Sequence, residues 1–167
     1  MDIRLGDVRN LAIAENSLDG YVSAGVIEHF WDGYHEIISE MHRTLRPGGF
    51  LFISFPFMSF LRRWKNRFGL YQKADSDSLA DMQGEFYQFA LTTNHVIADL
   101  QSLGFLLLEK LSYSGIKGFK DEVSWMRPWL QDVYDGKRGR HIRHHLDHLF
   151  KPFASHSALL VMQKKSS

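Results

Sequence analysis

Two stretches decide the fold of this chain: GYVSAGVIEHF, residues 20–30, and LRPGGFLFIS, residues 45–54. The first is rich in β-branched and aromatic side chains, which is typical of a buried strand. The second holds a continuous apolar run, which is typical of a parallel strand covered on both faces. Between them, apolar side chains recur at the spacing of one helical face: Tyr34, Ile37, Ile38, Met41 and Leu45. A strand, a helix and a strand in this order predict the α/β class.

Further short segments extend this pattern on both sides. Residues 3–5 are predicted to be the end of a strand, and 47–49 (Pro-Gly-Gly) to end the helix before them. Apolar runs predict later strands at 105–111 and 158–162, and helical spacing predicts helices near 58–68, 93–103, 123–133 and 142–149. The chain therefore alternates strands with helices.

Composition excludes several classes of protein. With 167 residues the chain is one domain, 1–167, and 44% hydrophobic residues argue against wholesale disorder. The longest apolar run, residues 50–58, is too short to span a bilayer, and no secretory signal is visible. The sequence contains no cysteine, so disulfides and thiolate metal sites are excluded. We expect a cytoplasmic protein without a transmembrane segment.

Three motifs in register carry a family resemblance: GDVRNL at 6–11, SAGVIEHF at 23–30 and LRPGGFLFIS at 45–54. Together they resemble class I S-adenosylmethionine-dependent methyltransferases, in particular the type 11 group. The resemblance is good over residues 3–56 and weaker over 93–112 and 155–165. Alanines stand at positions 12 and 14, where that family usually has prolines.

The resemblance implies a Rossmann-like fold with a mostly parallel sheet of strand order 3-2-1-4-5-7-6 and an antiparallel last strand. The predicted strands of this chain would be the third to the seventh. Residues 57–92 and 113–156 would be variable helical insertions that set the choice of acceptor.

The Gly-rich turn that follows the first strand in this family is missing from the sequence. We therefore expect a chain truncated at its N-terminus, and whether it is an enzyme by itself stays open. Without the intervening strands, the fourth strand would have a bare apolar edge at residues 20–26. We expect a homo-oligomer or strand-swapped dimer through that edge, unless residues 3–5 cover it.

The resemblance also implies a cofactor site for S-adenosylmethionine. Asp7 would accept a hydrogen bond from the adenine amino group, with the Val8 amide facing the ring. Ser23, Ala24 and Gly25 would pass beneath the methionine part of the cofactor. The alternative for Asp7 is a turn residue at the end of a strand.

The resemblance also suggests residues that would bind the methyl acceptor or remove its proton. His29 is the candidate general base, because imidazole takes up a proton near neutrality. Glu28, Trp64 and Tyr71 are candidate substrate-binding residues, for a small-molecule acceptor that the sequence does not identify. The alternative is that Glu28 and His29 only orient the following helix.

Charge is unevenly distributed although the net charge is only +1: residues 1–56 carry four basic and eight acidic side chains, and 113–167 ten and five. This asymmetry keeps open an anion-binding module in the basic C-terminal region, beside a non-catalytic remnant that acts by association. Four histidines, at 141, 144, 145 and 148, share one predicted helical face, which we interpret as solvated, with no metal site. We also expect no nucleic-acid partner, because the basic run 137–143 lacks interleaved aromatic side chains.

Overall fold

A computed structural model describes residues 3–71 and 87–166. It contains four strands: β1 (Leu18–Ala24), β2 (Leu45–Pro56), β3 (Phe105–Tyr113) and β4 (Ser157–Lys164). Within these described residues the helices are α1 (His35–Thr44), α2 (Phe60–Arg67), α3 (Thr93–Ser102), α4 (Gly115–Glu122), α5 (Arg127–Tyr134) and α6 (Arg140–Ala154). Short 3-10 turns cover Ile27–His29 and Ser124–Met126.

The strands form one sheet in the order β1-β2-β4-β3. This agrees with the expected succession of the fourth, fifth, seventh and sixth strands. β1 and β2 are parallel neighbours, with Val22 opposite Phe52 and Ala24 opposite Ser54. The α/β class and the pairing of the two deciding stretches are therefore confirmed, and this pair is the one whose parallel direction is established.

Two compact units divide the chain. The first takes the described parts of residues 1–55, 91–110 and 159–167, and the second those of 56–90 and 111–158. The two predicted insertions fall almost wholly in the second unit. Each unit has its own buried apolar side chains: in the first these include Ile37, Met41, Leu51, Ile53, Leu100 and Leu160, and in the second Ile116, Leu130, Val133, Phe150 and Ala154.

Three expectations about the first unit are wrong. Residues 3–5 are not a strand: Leu5 is fully exposed, and a strand needs a neighbour to bond its backbone. The helix α1 ends at Thr44 and not at the Pro-Gly-Gly of residues 47–49. The reason is that β2 begins at Leu45, opposite Leu18 of β1, and includes those three residues. β2 is not covered on both faces, since Phe50 and Phe52 remain about two-fifths exposed while the alternating residues Leu51 and Ile53 are buried.

A buried lysine ties the last strand to the end of α1. Lys164 Nζ donates to the carbonyl oxygens of His42 (2.8 Å) and Leu45 (2.9 Å) and to Asn16 Oδ1 (2.8 Å). A cation is favourable there because the last carbonyls of a helix lack intrahelical partners and carry partial negative charge. The sequence gives no sign of this contact, since the lysine and the helix end lie 119 or more positions apart.

Candidate functional site

The chain turns sharply where β1 ends, and the turn places two candidate residues. Gly25 has φ +68°, a left-handed conformation that glycine adopts without strain, and its amide donates to the Ser54 carbonyl of β2 (3.0 Å). An added Cβ would meet Glu28 Oε1 at 3.5 Å. The turn therefore brings the backbone of Gly25 next to the Glu28 carboxyl group.

Glu28 lies almost completely buried in the 3-10 turn, with 2% of its surface exposed. Its Oε2 has no hydrogen-bond partner within residues 3–71 and 87–166. Burial raises the pKa of this carboxyl above its ordinary value. An unsatisfied buried oxygen is costly, and such atoms recur at binding and catalytic sites.

His29 stands beside this carboxyl group. Its side chain is about one-third exposed, and its Nε2 lies 3.8 Å from Glu28 Oε1, beyond hydrogen-bond distance. The structure thus brings together the predicted base and one predicted substrate-binding residue, with the imidazole the more accessible of the two. Ser23 is buried just before the turn.

Asp7 forms a tight turn instead of pointing freely from a strand end. Both its carboxylate oxygens accept hydrogen bonds from Arg9, at 2.8–3.2 Å, and the Asn10 amide donates to its carbonyl oxygen (3.0 Å). The hydrogen bonds from Arg9 lower the pKa of Asp7 to about 2. The carboxylate is therefore ionised at neutral pH and accepts hydrogen bonds only, as the predicted role requires. Val8 lies inside the same turn.

Arg9, in the turn that Asp7 forms, lies near Phe30, two residues after Glu28. The Arg9 guanidinium lies 5.7 Å from the centre of the Phe30 ring. The cavity that Asp7 lines, of about 700 Å³, is otherwise formed by residues of the turn and by α1: Arg9, Asn10, His35, Glu36, Ser39, Glu40 and Arg43. Gly25 and Glu28 are not among the described residues that line it.

The second unit holds the other two candidates in different surroundings. Trp64 on α2 is about half exposed and packs against Phe68, with ring centres 4.8 Å apart. Tyr71 donates its hydroxyl hydrogen to Glu122, and burial followed by this hydrogen bond raises the pKa of Tyr71. Phe86, a further aromatic residue of the first predicted insertion, lies outside the described residues.

A buried ionic cluster surrounds the Glu122 carboxylate. Arg62 Nε donates to Oε1 (2.9 Å) and Lys65 Nζ to Oε2 (2.8 Å), with Glu122 only 9% exposed. Burial alone would raise the pKa of Glu122, but hydrogen bonds from Lys65, Tyr71 and Arg62 outweigh it and lower that pKa. The carboxylate is held charged because three donors replace the water it has lost.

A cavity of about 360 Å³ opens beside this cluster. Its wall includes Pro56, the last residue of β2. The other lining residues are Met58, Arg62, Asn66, Tyr71, Gln88, Ala90 and Glu122. Apolar walls with a few convergent polar groups are typical of small-molecule sites.

His156 extends the cluster towards β4. It is 8% exposed and receives contacts from Lys117 (2.8 Å to Nε2) and Arg62 (3.1 Å to Nδ1). Burial, followed by the charges of Lys117 and Arg62, lowers its pKa to about 4. The imidazole is therefore neutral in the folded protein, and the one ring nitrogen without a hydrogen can accept a hydrogen bond from a cationic neighbour.

Sequence reasoning missed the residues of this cluster and found only Tyr71. Arg62 was part of a basic helical segment, and nothing in the sequence indicates that it meets Glu122, 60 positions away, or His156, 94 positions away. Such pairs become visible only when the helices pack.

The histidines of α6 and the apolar length of the helices decide whether the described residues offer a metal site or a membrane span. The His144 and His148 rings lie 4.6 Å apart on α6, but no group of three or more His, Cys, Asp or Glu side chains there could hold a metal ion. No helix in those residues is long and apolar enough to cross a membrane.

Comparison with known sequences finds similarity over part of the chain. A family model described as a methyltransferase domain matches residues 1–53. A protein of Mycolicibacterium smegmatis, described as a probable S-adenosylmethionine-dependent methyltransferase, is 43% identical over 56 residues, or 34% of this chain and 21% of that protein. The chain thus spans about one-fifth of the length of this curated relative.

Comparison with solved structures covers nearly the whole chain. The cyclase SpnF matches with a TM-score of 0.55 and 16% identity, over 99% of this chain and 56% of that one. Phosphoethanolamine N-methyltransferase 2 of Haemonchus contortus, bound to S-adenosyl-L-methionine, has a TM-score of 0.53 and 15% identity, over 96% and 36%. A SAM-dependent methyltransferase of Archaeoglobus fulgidus has a TM-score of 0.53 and 14% identity, over 92% and 62%. Identities this low show a shared fold alone. Residues 1–53 thus match a methyltransferase domain in sequence, and the described residues share the fold of class I S-adenosylmethionine-dependent methyltransferases.

Proposed function

We propose that this chain takes part in methyl transfer from S-adenosylmethionine to a small-molecule acceptor. The observation that carries the proposal is the turn after β1, where a left-handed Gly25 and a buried Glu28 with an unpartnered oxygen follow a parallel strand pair. Ligands of open α/β sheets bind at the carboxyl ends of such strands. The proposal includes a cytoplasmic location, which suits a chain without cysteine.

The residues present fit the cofactor at two points. The unpartnered Glu28 Oε2 can accept a hydrogen bond from a ligand hydroxyl or ammonium group, and Gly25 has no side chain to block an approach. Ser23 and Ala24 would complete this wall, while the ionised Asp7 and the Val8 amide would hold the adenine. When bound, the cofactor supplies an activated methyl group on its sulfonium sulfur.

The acceptor needs alignment and, for a hydroxyl or amine, removal of a proton. We assign the proton to His29, whose imidazole is accessible and adjacent to the Glu28 carboxyl group.

The cavity lined by Tyr71 and Glu122 is the proposed acceptor site. Its volume of about 360 Å³ suits a small polar molecule, and Asn66 and Gln88 add neutral donors and acceptors to the charged cluster. Trp64, half exposed on α2, is proposed to contact the same acceptor.

Calorimetric titration of the whole chain with S-adenosylhomocysteine tests the proposal. We expect measurable binding that Asp7→Ala weakens about tenfold, because one hydrogen bond to a charged acceptor contributes about 1.5–3 kcal/mol. Asp19→Ala is the matched control, since Asp19 is also an exposed aspartate paired with an arginine, Arg46. Absence of heat with the wild-type chain, or equal weakening in both variants, would contradict cofactor binding.

Association of two chains is a second candidate function, favoured by the outer strand of the sheet. In the described residues β1 has a neighbour on one side only, and Val22, Phe50 and Phe52 form an exposed apolar face next to that edge. We propose a homodimer formed through the residue 20–26 edge, because unpaired strand edges are templates for pairing with another chain.

Light scattering coupled to gel filtration over a range of protein concentrations tests the dimer. We expect Val22→Lys to raise the dissociation constant at least tenfold, because a charge on an edge strand opposes pairing. Leu149→Lys, at an exposed leucine of α6, is the control and leaves the dimer intact. A monomer at every concentration would refute the dimer without bearing on cofactor binding.

A further inference from the structure

A basic cavity of the second unit shares no lining residue with the proposed acceptor site. Its volume is about 670 Å³, large enough for a small organic ligand. Tyr113 and Ser114 at the end of β3 form one side, and Arg140 and Arg143 in the first turns of α6 form the other. Two histidines of the same helix turns complete the basic wall.

The two arginines differ from their sequence neighbours in their ion pairs. Among residues 3–71 and 87–166, neither Arg140 nor Arg143 forms an ion pair, although their sequence neighbours Lys137 and Arg138 both pair with Asp132. The one carboxylate in the cavity wall, Asp147, accepts a hydrogen bond from the Ile116 amide (3.1 Å). Two guanidinium groups therefore face a cavity whose single acid is engaged with α4.

Close packing of α4 against α6 makes the cavity wall rigid. A Cβ on Gly115 would lie 2.5 Å from the Asp147 carbonyl oxygen, and one on Gly118 would lie 1.7 Å from that of Ala154. The helices therefore touch backbone to backbone, which only glycine permits. Because the wall belongs to packed helices, its charged groups are carried by a fixed frame.

One of the two guanidinium groups lies close to an aromatic ring. The Arg143 guanidinium lies 5.1 Å from the ring centre of Tyr134, within the range of a cation–π contact. A guanidinium group carries five N–H donors along its edges. Those edges match the oxygen spacing of phosphate, to which arginine can donate two parallel hydrogen bonds. The hydroxyls of Tyr113 and Tyr134 offer further donors in the same cavity.

We propose that this cavity binds the phosphate group of a small phosphorylated molecule, through Arg140 and Arg143. Phosphate fits because the cavity presents an excess of forked cationic donors and hydroxyls over acceptors. The proposal is independent of methyl transfer: it concerns other residues and does not require that the chain bind a cofactor.

Calorimetric titration of the whole chain with inorganic pyrophosphate tests this site. We expect binding that the double variant R140Q/R143Q weakens at least tenfold. The matched control is K137Q/R138Q, which removes the same charge from the preceding turn, outside the cavity, and should change the affinity less than twofold. Circular dichroism melting curves show whether each variant is folded. If R140Q/R143Q melts at a lower temperature than the wild type, the single variant R140Q replaces it in the titration.

A second arm separates a free phosphate ligand from a lipid headgroup. Vesicles of phosphatidylcholine containing phosphatidic acid present the same phosphate on a membrane. Vesicle binding that pyrophosphate displaces, and that R140Q/R143Q removes, supports the same site with a lipid source. No pyrophosphate binding, or an equal loss in both double variants, would overturn the proposal in favour of a diffuse basic surface. Oligonucleotide binding lost equally in both variants would overturn it in the same way.

Discussion

Replacing Glu122 by alanine is expected to lower the free energy of unfolding of the second unit by about 3–5 kcal/mol, the range found when one partner of a buried ion pair is removed. Glu122 is 9% exposed and accepts from Arg62 and Lys65. Its loss leaves the largely buried Arg62 guanidinium without its counter-charge, and a buried unpaired charge is costly. Chemical denaturation followed by tryptophan fluorescence measures the loss, because Trp64, Trp125 and Trp129 all belong to the second unit.

Two further variants make this result interpretable. Glu122→Gln keeps hydrogen-bond acceptors without the charge, so we expect it to lose less stability than Glu122→Ala. Glu109→Ala, at an exposed glutamate of β3, controls for removal of an acid and should change stability by no more than about 0.5 kcal/mol. A loss below about 1 kcal/mol for Glu122→Ala would mean that water replaces the carboxylate and that the cluster is not buried in solution.

Acidification is expected to destabilise the second unit through His156. The pKa of His156 is lowered from 6.5 to about 4 in the folded protein. Between pH 6.5 and pH 4, His156 is therefore mostly protonated in the unfolded chain and mostly neutral in the folded chain. The unfolded state then holds more protons, and the free energy of unfolding decreases as the pH falls. The slope is up to about 1.4 kcal/mol per pH unit, and the total by pH 4 is about 3 kcal/mol.

Denaturation curves of wild type and His156→Asn between pH 6.5 and 4 measure this contribution. The variant lacks the titrating group but keeps an acceptor for Arg62 and Lys117, so its stability should fall less steeply than that of the wild type. Carboxylates that titrate in the same range cancel in the difference. His95→Asn, at an exposed position of α3, is the control. Parallel curves for wild type and His156→Asn would show that the imidazole is charged or solvated when folded.

Strand pairing at the start of the sheet was predictable because it depends on local pattern. The apolar stretches at 20–30 and 45–54, with a helical repeat between them, specified β1, α1 and β2, and the resemblance supplied the order in which β4 and β3 follow. Coverage of β2 was not predictable in this way. Whether Phe50 meets solvent depends on which other segments cover its face of the sheet, and the run of apolar residues is the same in either case.

The candidate site was predictable in position and less so in contacts. The sequence placed Glu28 and His29 after β1, where the structure has them, but it put Gly25 inside the strand, which ends at Ala24. It did not show that Glu28 is buried with an unpartnered oxygen, or that Asp7 is engaged by Arg9, because both depend on side-chain packing and turn geometry.

The sequence by itself determined the α/β class and the parallel pair, because hydrophobic periodicity acts over a few residues. Only the tertiary structure decided which charges are buried together: Glu122 with Arg62 and Lys65, and Lys164 with the end of α1. It also decided that Arg140 and Arg143 line one cavity together with Asp147, whose carboxylate accepts from the Ile116 amide. The physical reason is that an ionic contact requires two side chains at one point in space, and the pattern along the chain does not encode that distance.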